Sequence, residues 1–534
     1  MDVQRHRIAR RDLLRATALA AGAAALLPGT AWAGTPGTRA ASTGSTTTDY
    51  RTRAAFDQLD LGFNDGNGRK NDLNEDSGAL GWGESYVLQA YLLMYETHRD
   101  PYYLHKAIDH IDHVLANRDS ERGVTDWRGL SLPGWRLAHP YSCGELYLKD
   151  AEGREVLRLR SARAYSRLIE ITVSEGSTPG TFRIYAKHPL PSFNTPDDPC
   201  EEVHDNLSMD PDSPDYVVTR LWNEFSVNDV QLTAKDLRPH PSAGGNPVPV
   251  QATMTDPKFH SSVHTGQITY PIAKFARLVR TTPELWISNY YRAKALEYRR
   301  AALEAVHIHD DEWRENEHGE AWYAYNKGAP VNLDGSDLPH NYSASMARTW
   351  LELAMFGDDP ESYQRATKLV RMFHNDIRRL ADGTASWTYY WTKGLCYRGW
   401  SREDGVSENM PTIGAGTRGE DISHGHIEVT MAVTAHRARV LFSPSDLQML
   451  ARTLTSKVLV TQDGTLGTST WVDGSGFTTG YRQIVAGWLG LAPFDVDGSM
   501  VQRVHDTFAA SNPVPETVPI YASAWLNWAA RFSR

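Results

Sequence analysis

After about residue 50, apolar positions recur three and four apart along most of the chain, in paired runs separated by short polar turns. The clearest pair runs from Glu84 to Glu96, turns at Arg99-Asp100-Pro101 and continues from Tyr103 to Leu115. A second begins near His264, passes Pro271 to Leu278 and Thr282-Pro283, and continues from Tyr290 to Ala305. A third runs from His340 to Met355, turns at Asp358-Asp359-Pro360 and resumes from Tyr363 to Ile377. The fourth runs from Glu420 to Val440, turns at Ser443-Pro444 and continues from Leu447 to Leu459, and Trp488 to Phe508 and Tyr521 to Phe532 read as shorter remnants. A helical hairpin with a wide apolar face cannot bury that face alone, so such units must stack. Their starts are too far apart for the common solenoid repeats and suit hairpins that carry long loops on one rim. The expected fold class is therefore mainly α: a closed (α/α)6 or (α/α)7 toroid of helical hairpins.

One segment breaks this period. From about Cys143 to Lys235 the pattern alternates, as in Val156 to Leu159, Leu168 to Val173 and Thr181 to Tyr185, with Gly, Pro and Asp between the runs. A small inserted β-rich module is predicted over 143–235, dividing the body into 50–142 and 236–534. Glu202 to Val218, with the preceding Ser174 to Phe182, resembles a β module of contractile-tail sheath proteins. That likeness implies a module fold and no activity.

The N-terminus reads differently. A basic stretch ends in Arg10-Arg11-Asp12-Leu13-Leu14, an alanine-rich apolar run follows from Ala16 to Leu27, and then Ala31-Trp32-Ala33. This is the pattern of a twin-arginine signal peptide over 1–33, with cleavage after Ala33. The apolar run is too short for a permanent anchor. A secreted or periplasmic protein that holds no membrane after cleavage is expected, preceded by a Gly/Thr/Ser-rich linker over 34–49.

Composition narrows the partners. The net charge of −10 argues against a nucleic-acid binder. Sixteen tryptophans and twenty-four tyrosines supply flat faces of the kind that cover sugar rings, although core packing uses them as well. Three cysteines are too few for a disulfide-built scaffold, with Cys143 and Cys200 the candidate pair. There is no P-loop, no dinucleotide fingerprint in a βαβ context and no His-Glu-x-x-His helix. His307-Ile-His309-Asp310-Asp311 would scatter around one helix and reads as a solvated face rather than a metal cluster.

Candidate chemistry lies at the starts of successive hairpins, which converge at one mouth if the hairpins close into a ring. Trp82 and Glu84, His260 and His264, His340 and Asn341, and the run Arg418-Gly-Glu420-Asp421-Ile-Ser-His424-Gly-His426 stand in matching positions. Glu84 and Asp421 could equally cap helices. Ser386-Trp387-Thr388-Tyr389-Tyr390-Trp391 is an aromatic run just before the Arg418 loop, suited to a sugar-binding wall or to supplying a tyrosine proton carrier. Trp127 and Arg128 sit in a second rim loop, where Arg128 could grip a substrate carboxylate or an acidic neighbour.

Trp82-Gly-Glu84-Ser-Tyr86, Trp127-Arg128, His264-Thr-Gly266, Pro339-His340-Asn341-Tyr342, the aromatic run to Trp391 and Glu420-Asp421-Ile-Ser-His424 together resemble the toroidal polysaccharide lyases of the alginate and glucuronan type. The β insert and the histidine in Pro339-His340-Asn341 depart from that pattern. The resemblance implies β-elimination of a uronate polymer without metal or organic cofactor. His424, Tyr389, Tyr390, Asn341 and His264 are then the catalytic candidates, and Glu84, Trp82, Arg128, Trp127, His340, Trp387, Arg418 and Glu420 the substrate-binding ones. Two other readings stay open: a glycoside hydrolase pairing Glu84 with Asp421 or Glu420, and a non-catalytic secreted protein that holds a glycan or partner.

Overall fold

A computed structural model of the chain describes residues 48–70, 77–138, 140–191, 199–357 and 359–532. The expected signal peptide, 1–33, and all but the last two residues of the expected linker lie outside the described residues, as does Asp358 of the third expected turn.

The helical elements are α1 (Arg53–Gly62), α2 (Ser85–His98), α3 (Pro101–Ala116), α4 (Val217–Glu224), α5 (Ser262–Thr281), α6 (Asn289–His307), α7 (His340–Phe356), α8 (Pro360–Asp376), α9 (Ile422–Arg437), α10 (Pro444–Thr453), α11 (Met500–Ala509) and α12 (Thr517–Ala529). The turns are those the local chemistry dictates. Asp100 accepts from the Tyr102 N–H ahead of Pro101, Asp359 caps α8 ahead of Pro360, and Ser443 and Asp446 form a capping box around Pro444. In α2, α5, α7, α9 and α12 nearly every residue is buried, whatever its direction from the axis. A helix enclosed on all sides must be surrounded by other elements. Contacts run from α2 to α5, α5 to α7, α7 to α9, α9 to a 3-10 segment at Ile484–Phe494, from there to α12, and from α12 back to α2. Helices α3, α6 and α8 each pack against the buried helix that precedes them, and α1 packs on α12.

The mainly α expectation is nevertheless corrected. About 47% of the protein is helix and 17% strand, and the described strands form five small sheets. The class is mixed, not a pure (α/α)6 or (α/α)7 toroid. Two physical causes account for the difference. Pro493, with Gly487 and Gly490, denies the expected Trp488 helix its regular hydrogen bonds, leaving a 3-10 segment there before α11. The long loops also fold on themselves. Strands β1 (Gly144–Lys149), β2 (Glu155–Ser161) and β6 (Leu232–Asp236) make one sheet, while β3 (Glu170–Glu175), β4 (Phe182–Pro191), β5 (Pro199–Leu207) and β7 (Val250–Thr253) make another in the order β5-β4-β3-β7. The β-rich segment thus continues past Lys235, since β7 completes the second sheet. The two sheets and α4 share a core of their own, including Leu157, Leu159, Ile171, Ile184 and Leu221.

Arg160 of β2 ties this unit to the helical body, donating to Glu145 of β1 and to the Gly328 carbonyl at 2.7 Å. Cys143 and Cys200 do not pair: they are free, buried thiols in separate cores. Among the described residues no helix is long and apolar enough to cross a membrane.

Candidate functional site

Three short backbone pairings assemble one end of the helical body. The His340 N–H donates to the Tyr389 carbonyl at 3.1 Å, which fastens the first turn of α7 to the aromatic run. That run pairs with the segment leading into α9, through Tyr389 N–H to Arg418 O at 3.1 Å and Glu420 N–H to Trp387 O at 3.0 Å. Beyond it, the Val472 N–H reaches Glu420 O at 2.9 Å. Asp421 then starts α9 as its N-cap, one carboxylate oxygen accepting from the backbone N–H groups of Ser423 and His424.

The other oxygen of Asp421 meets His424 Nδ1 at 2.6 Å. One carboxylate therefore both caps the helix and orients the imidazole, leaving Nε2 without a hydrogen bond to any described residue. Burial works to lower the His424 pKa, but the charge and hydrogen bond of Asp421 outweigh it and the net direction is up. Asp421 is held below the usual carboxylate range, the imidazole overcoming the cost of burial. The Tyr389 ring lies 5.6 Å from the His424 ring. Burial, with Tyr342 as a second cause, raises the Tyr389 phenol well above its ordinary value. The Arg418 guanidinium stands over the Tyr389 ring at 4.0 Å, its Nε and Nη2 buried without a partner among the described residues. Asn341 is 1% exposed and its Oδ1 is likewise unpartnered.

Trp82 closes the opposite side, with its ring 6.1 Å from His424 and 5.6 Å from His264. Its indole N–H donates to His264 Nε2 at 2.6 Å, so the histidine's proton sits on Nδ1, facing Ser77 Oγ at 2.9 Å. Burial lowers the His264 pKa to about 3. His264 is thus a neutral ring with both nitrogens engaged, and it fixes Trp82 rather than offering a base.

The remaining candidates divide. Glu420 is fully buried beside the dyad, with Oε1 accepting the Asp421 N–H at 3.0 Å. Tyr390 packs behind Tyr389 at 4.8 Å and against Gly416. Trp387 is a core residue between Phe373 and Trp488 rather than a sugar wall. His340 turns away to Asp376 of α8 at 2.8 Å. Glu84, fully buried, is taken up elsewhere as well, bonding His110 of α3 and accepting the Arg69 N–H at 2.6 Å. Arg128 is held by Asp126 at 2.8 Å and Asp311 at 3.2 Å, and Trp127 beside it is 41% exposed. Among the described residues no hydrogen bond, ion pair or ring contact joins either to the His424 cluster. His260 bonds Asp119 at 3.1 Å, and His426 donates to the Ser423 carbonyl. The stretch expected to be a solvated face is only partly so: His307 pairs with Asp310 near the surface, but His309 is buried between Thr265 and Glu312.

Sequence reasoning treated Asp421 as a cap or a hydrolytic acid and missed its role in orienting His424, although the spacing of three was legible. Tyr342 was quoted only as the end of the Pro339-His340-Asn341-Tyr342 motif and given no role, and Tyr481 and Glu428, whose charges and hydrogen bonds also act on the cluster, were missed outright. Tyr481 comes from an irregular loop with no pattern to flag it, and Glu428 sits inside a buried helix. Ligand-type atoms of Glu420, Asp421 and His424 lie within 4.8 Å of one another. The Asp421 oxygens and His424 Nδ1 are committed to each other and to the helix cap, so the trio is a hydrogen-bonded dyad with an acid beside it rather than a ligand set. Compared with models of protein families and with curated protein sequences, the chain matches none.

Proposed function

We propose that the protein is an exported polysaccharide lyase that cleaves a uronate-containing polymer by β-elimination. The observation that carries this reading is the oriented His424–Asp421 dyad 5.6 Å from Tyr389, beside an arginine with two unengaged N–H nitrogens. The motif resemblance to alginate and glucuronan lyases points the same way.

In this reaction the proton on C5, next to the uronate carboxylate, must leave while the C4–O bond breaks. Arg418 and Asn341 bind the carboxylate and draw off the charge that develops there. His424 takes the C5 proton through Nε2, with Asp421 stabilising the imidazolium. Tyr389, which burial keeps protonated, gives its proton to the departing glycosidic oxygen. The C–H electrons form the new C4=C5 double bond, and the two side chains then exchange a proton to reset.

Hydrolysis by Glu84 with Asp421 or Glu420 has less to stand on, since Glu84 faces His110 and both Asp421 oxygens are used. The test is ultraviolet absorbance of the protein incubated with alginate, glucuronan and glycosaminoglycans, with reducing ends assayed in parallel. Rising absorbance that disappears in His424→Ala is the expected result. Reducing ends without absorbance would make the protein a hydrolase, and saturable binding without product would make it a glycan-holding protein.

A further inference from the structure

Beside His424, at the start of α9 and one turn along it, lie two carboxyl groups that the elimination does not use. His424 and Glu428 are four apart on α9 and share a face, while Glu420 stands in the extended segment just before the Asp421 cap. Glu420 and Glu428 are both 0% exposed. Glu420 Oε1 is 3.9 Å from His424 Nδ1. Its Oε2 and both oxygens of Glu428 are buried and receive no hydrogen bond from a described donor, and each carboxyl group feels the other's charge or hydrogen bond. Two neighbouring carboxylates sealed from water cannot both stay ionised cheaply, whereas one proton between them turns repulsion into a hydrogen bond.

The opposing charge is also present. Arg348 of α7 is 0% exposed, stacked on Tyr270 at 4.5 Å and donating to Gln267, with Nε and Nη1 unpartnered among the described residues. No described carboxylate forms an ion pair with it, and burial lowers its value while Tyr270, Tyr521, Tyr86 and Glu428 work to raise it. A carboxyl pair holding one proton carries one negative charge, which balances this arginine, as Asp421 balances a protonated His424.

We propose that Glu420 and Glu428 share a single proton and act as a positioning pair for His424, with Glu420 neutral beside the imidazole and Glu428 bearing the charge that answers Arg348. Its functional weight rests on the reading of His424 as the base, but its test needs no substrate. A neutral Glu420 leaves Asp421 as the one anion stabilising imidazolium, so His424 can shed its proton nearer neutral pH. The other groups facing this cluster do not take over that role. Arg418 from the preceding loop is a fixed cation, and Tyr389, Tyr481, Tyr86 of α2 and Tyr521 of α12 are kept protonated by burial. His426 on α9 is kept neutral, its value lowered by burial to about 3.

The test is an NMR titration of the full chain carrying 13C-labelled histidine, with the His424 signal assigned by its loss in His424→Gln. In Glu428→Gln the new amide donates to Glu420, which ionises next to the ring, and the His424 titration moves up by about one pH unit. In Glu420→Gln no charge can form there, and the titration stays within about 0.3 unit of the parent or moves down. Equal displacement in both variants, or none in either, overturns the proposal. Infrared spectra of the unaltered protein guard against a variant that fails to fold. A carboxylic-acid C=O band at neutral pH that responds to deuterium exchange is expected, and its absence overturns the shared proton. Loss of elimination activity on every polymer, with this titration pattern intact, would instead sink the lyase reading alone.

Discussion

Asp421 does two things with one carboxylate, and they can be separated by a single atom. Asparagine is as good an N-cap as aspartate, so Asp421→Asn keeps the bonds to Ser423 and His424 that start α9. It removes the charge that stabilises imidazolium and offers an amide donor where the imidazole needs an acceptor. Stability measured by denaturant should therefore change by less than about 1 kcal/mol, while elimination falls by at least about 100-fold. A matching loss of stability and rate would mean that Asp421 acts on the fold alone. Glu84 behaves in the opposite way. It is buried against His110, so Glu84→Ala leaves buried groups unpaired and should cost about 3–5 kcal/mol. Because Glu84 faces His110 of α3 and not the His424 cluster, the fraction that folds should keep its specific activity. Near-complete loss of turnover in well-folded Glu84→Ala would favour the hydrolase.

At the scale of elements, the site depends on how closely neighbouring helices approach. Gly266 of α5 faces the backbone of α7: a Cβ there would stand 2.5 Å from the Ser345 carbonyl carbon and 2.6 Å from the Met346 nitrogen. Backbone cannot swing aside as a side chain can, so Gly266→Ala must push α5 from α7, at about 1–3 kcal/mol. Because Asn341 begins α7 and His264 lies on α5, the same shift should raise the concentration of polymer needed for half-maximal rate. Thermal unfolding together with saturation kinetics checks both effects, and unchanged stability would show that the contact is looser than described. The sequence already carried much of this arrangement. The hairpin pattern placed α2, α3 and α5 to α10 within a few residues, because an apolar stripe and an Asp-Pro or Ser-Pro turn are local signals. It also brought Trp82, Asn341, Tyr389, Arg418 and His424 into one proposed constellation. What it could not give was side-chain direction: Glu84 and His340 stand at matching hairpin starts and Trp387 in the aromatic run, yet each packs toward partners that only the fold supplies, His110, Asp376 and Phe373 with Trp488.

For the molecule as a whole, polar groups sealed inside apolar helices have a price in acid. Local patterns overstated helix because strands of two to four residues, and a 3-10 segment broken by Pro493, leave little periodic trace. The same patterns gave no warning that so many histidines would be enclosed. His264 and His426 are lowered to about 3 and His188 of β4 to about 4, in each case chiefly by burial. Free imidazole takes its proton near pH 6.5, so between that value and the folded ones the unfolded chain binds more protons than the native one. Stability therefore rises with pH across this window and is lost on acidification, by about 1.4 kcal/mol per pH unit for each such histidine. His424 and His204, whose values are raised, act in the other sense: what they contribute is present at low pH and lost as pH rises through their folded values. The proton that Glu420 and Glu428 hold in the folded state works in this other sense too, but the lowered histidines are the more numerous, so the net slope should be positive between pH 5 and 6.5. Urea midpoints should fall steadily from pH 7 to pH 5, and His426→Gln, which keeps a donor for the Ser423 carbonyl but cannot take up a proton on unfolding, should flatten that fall. Midpoints independent of pH in the parent, or an unaltered slope in the variant, would show that these rings are hydrated in the native state and that the interior of the helical body is wetter than its packing implies.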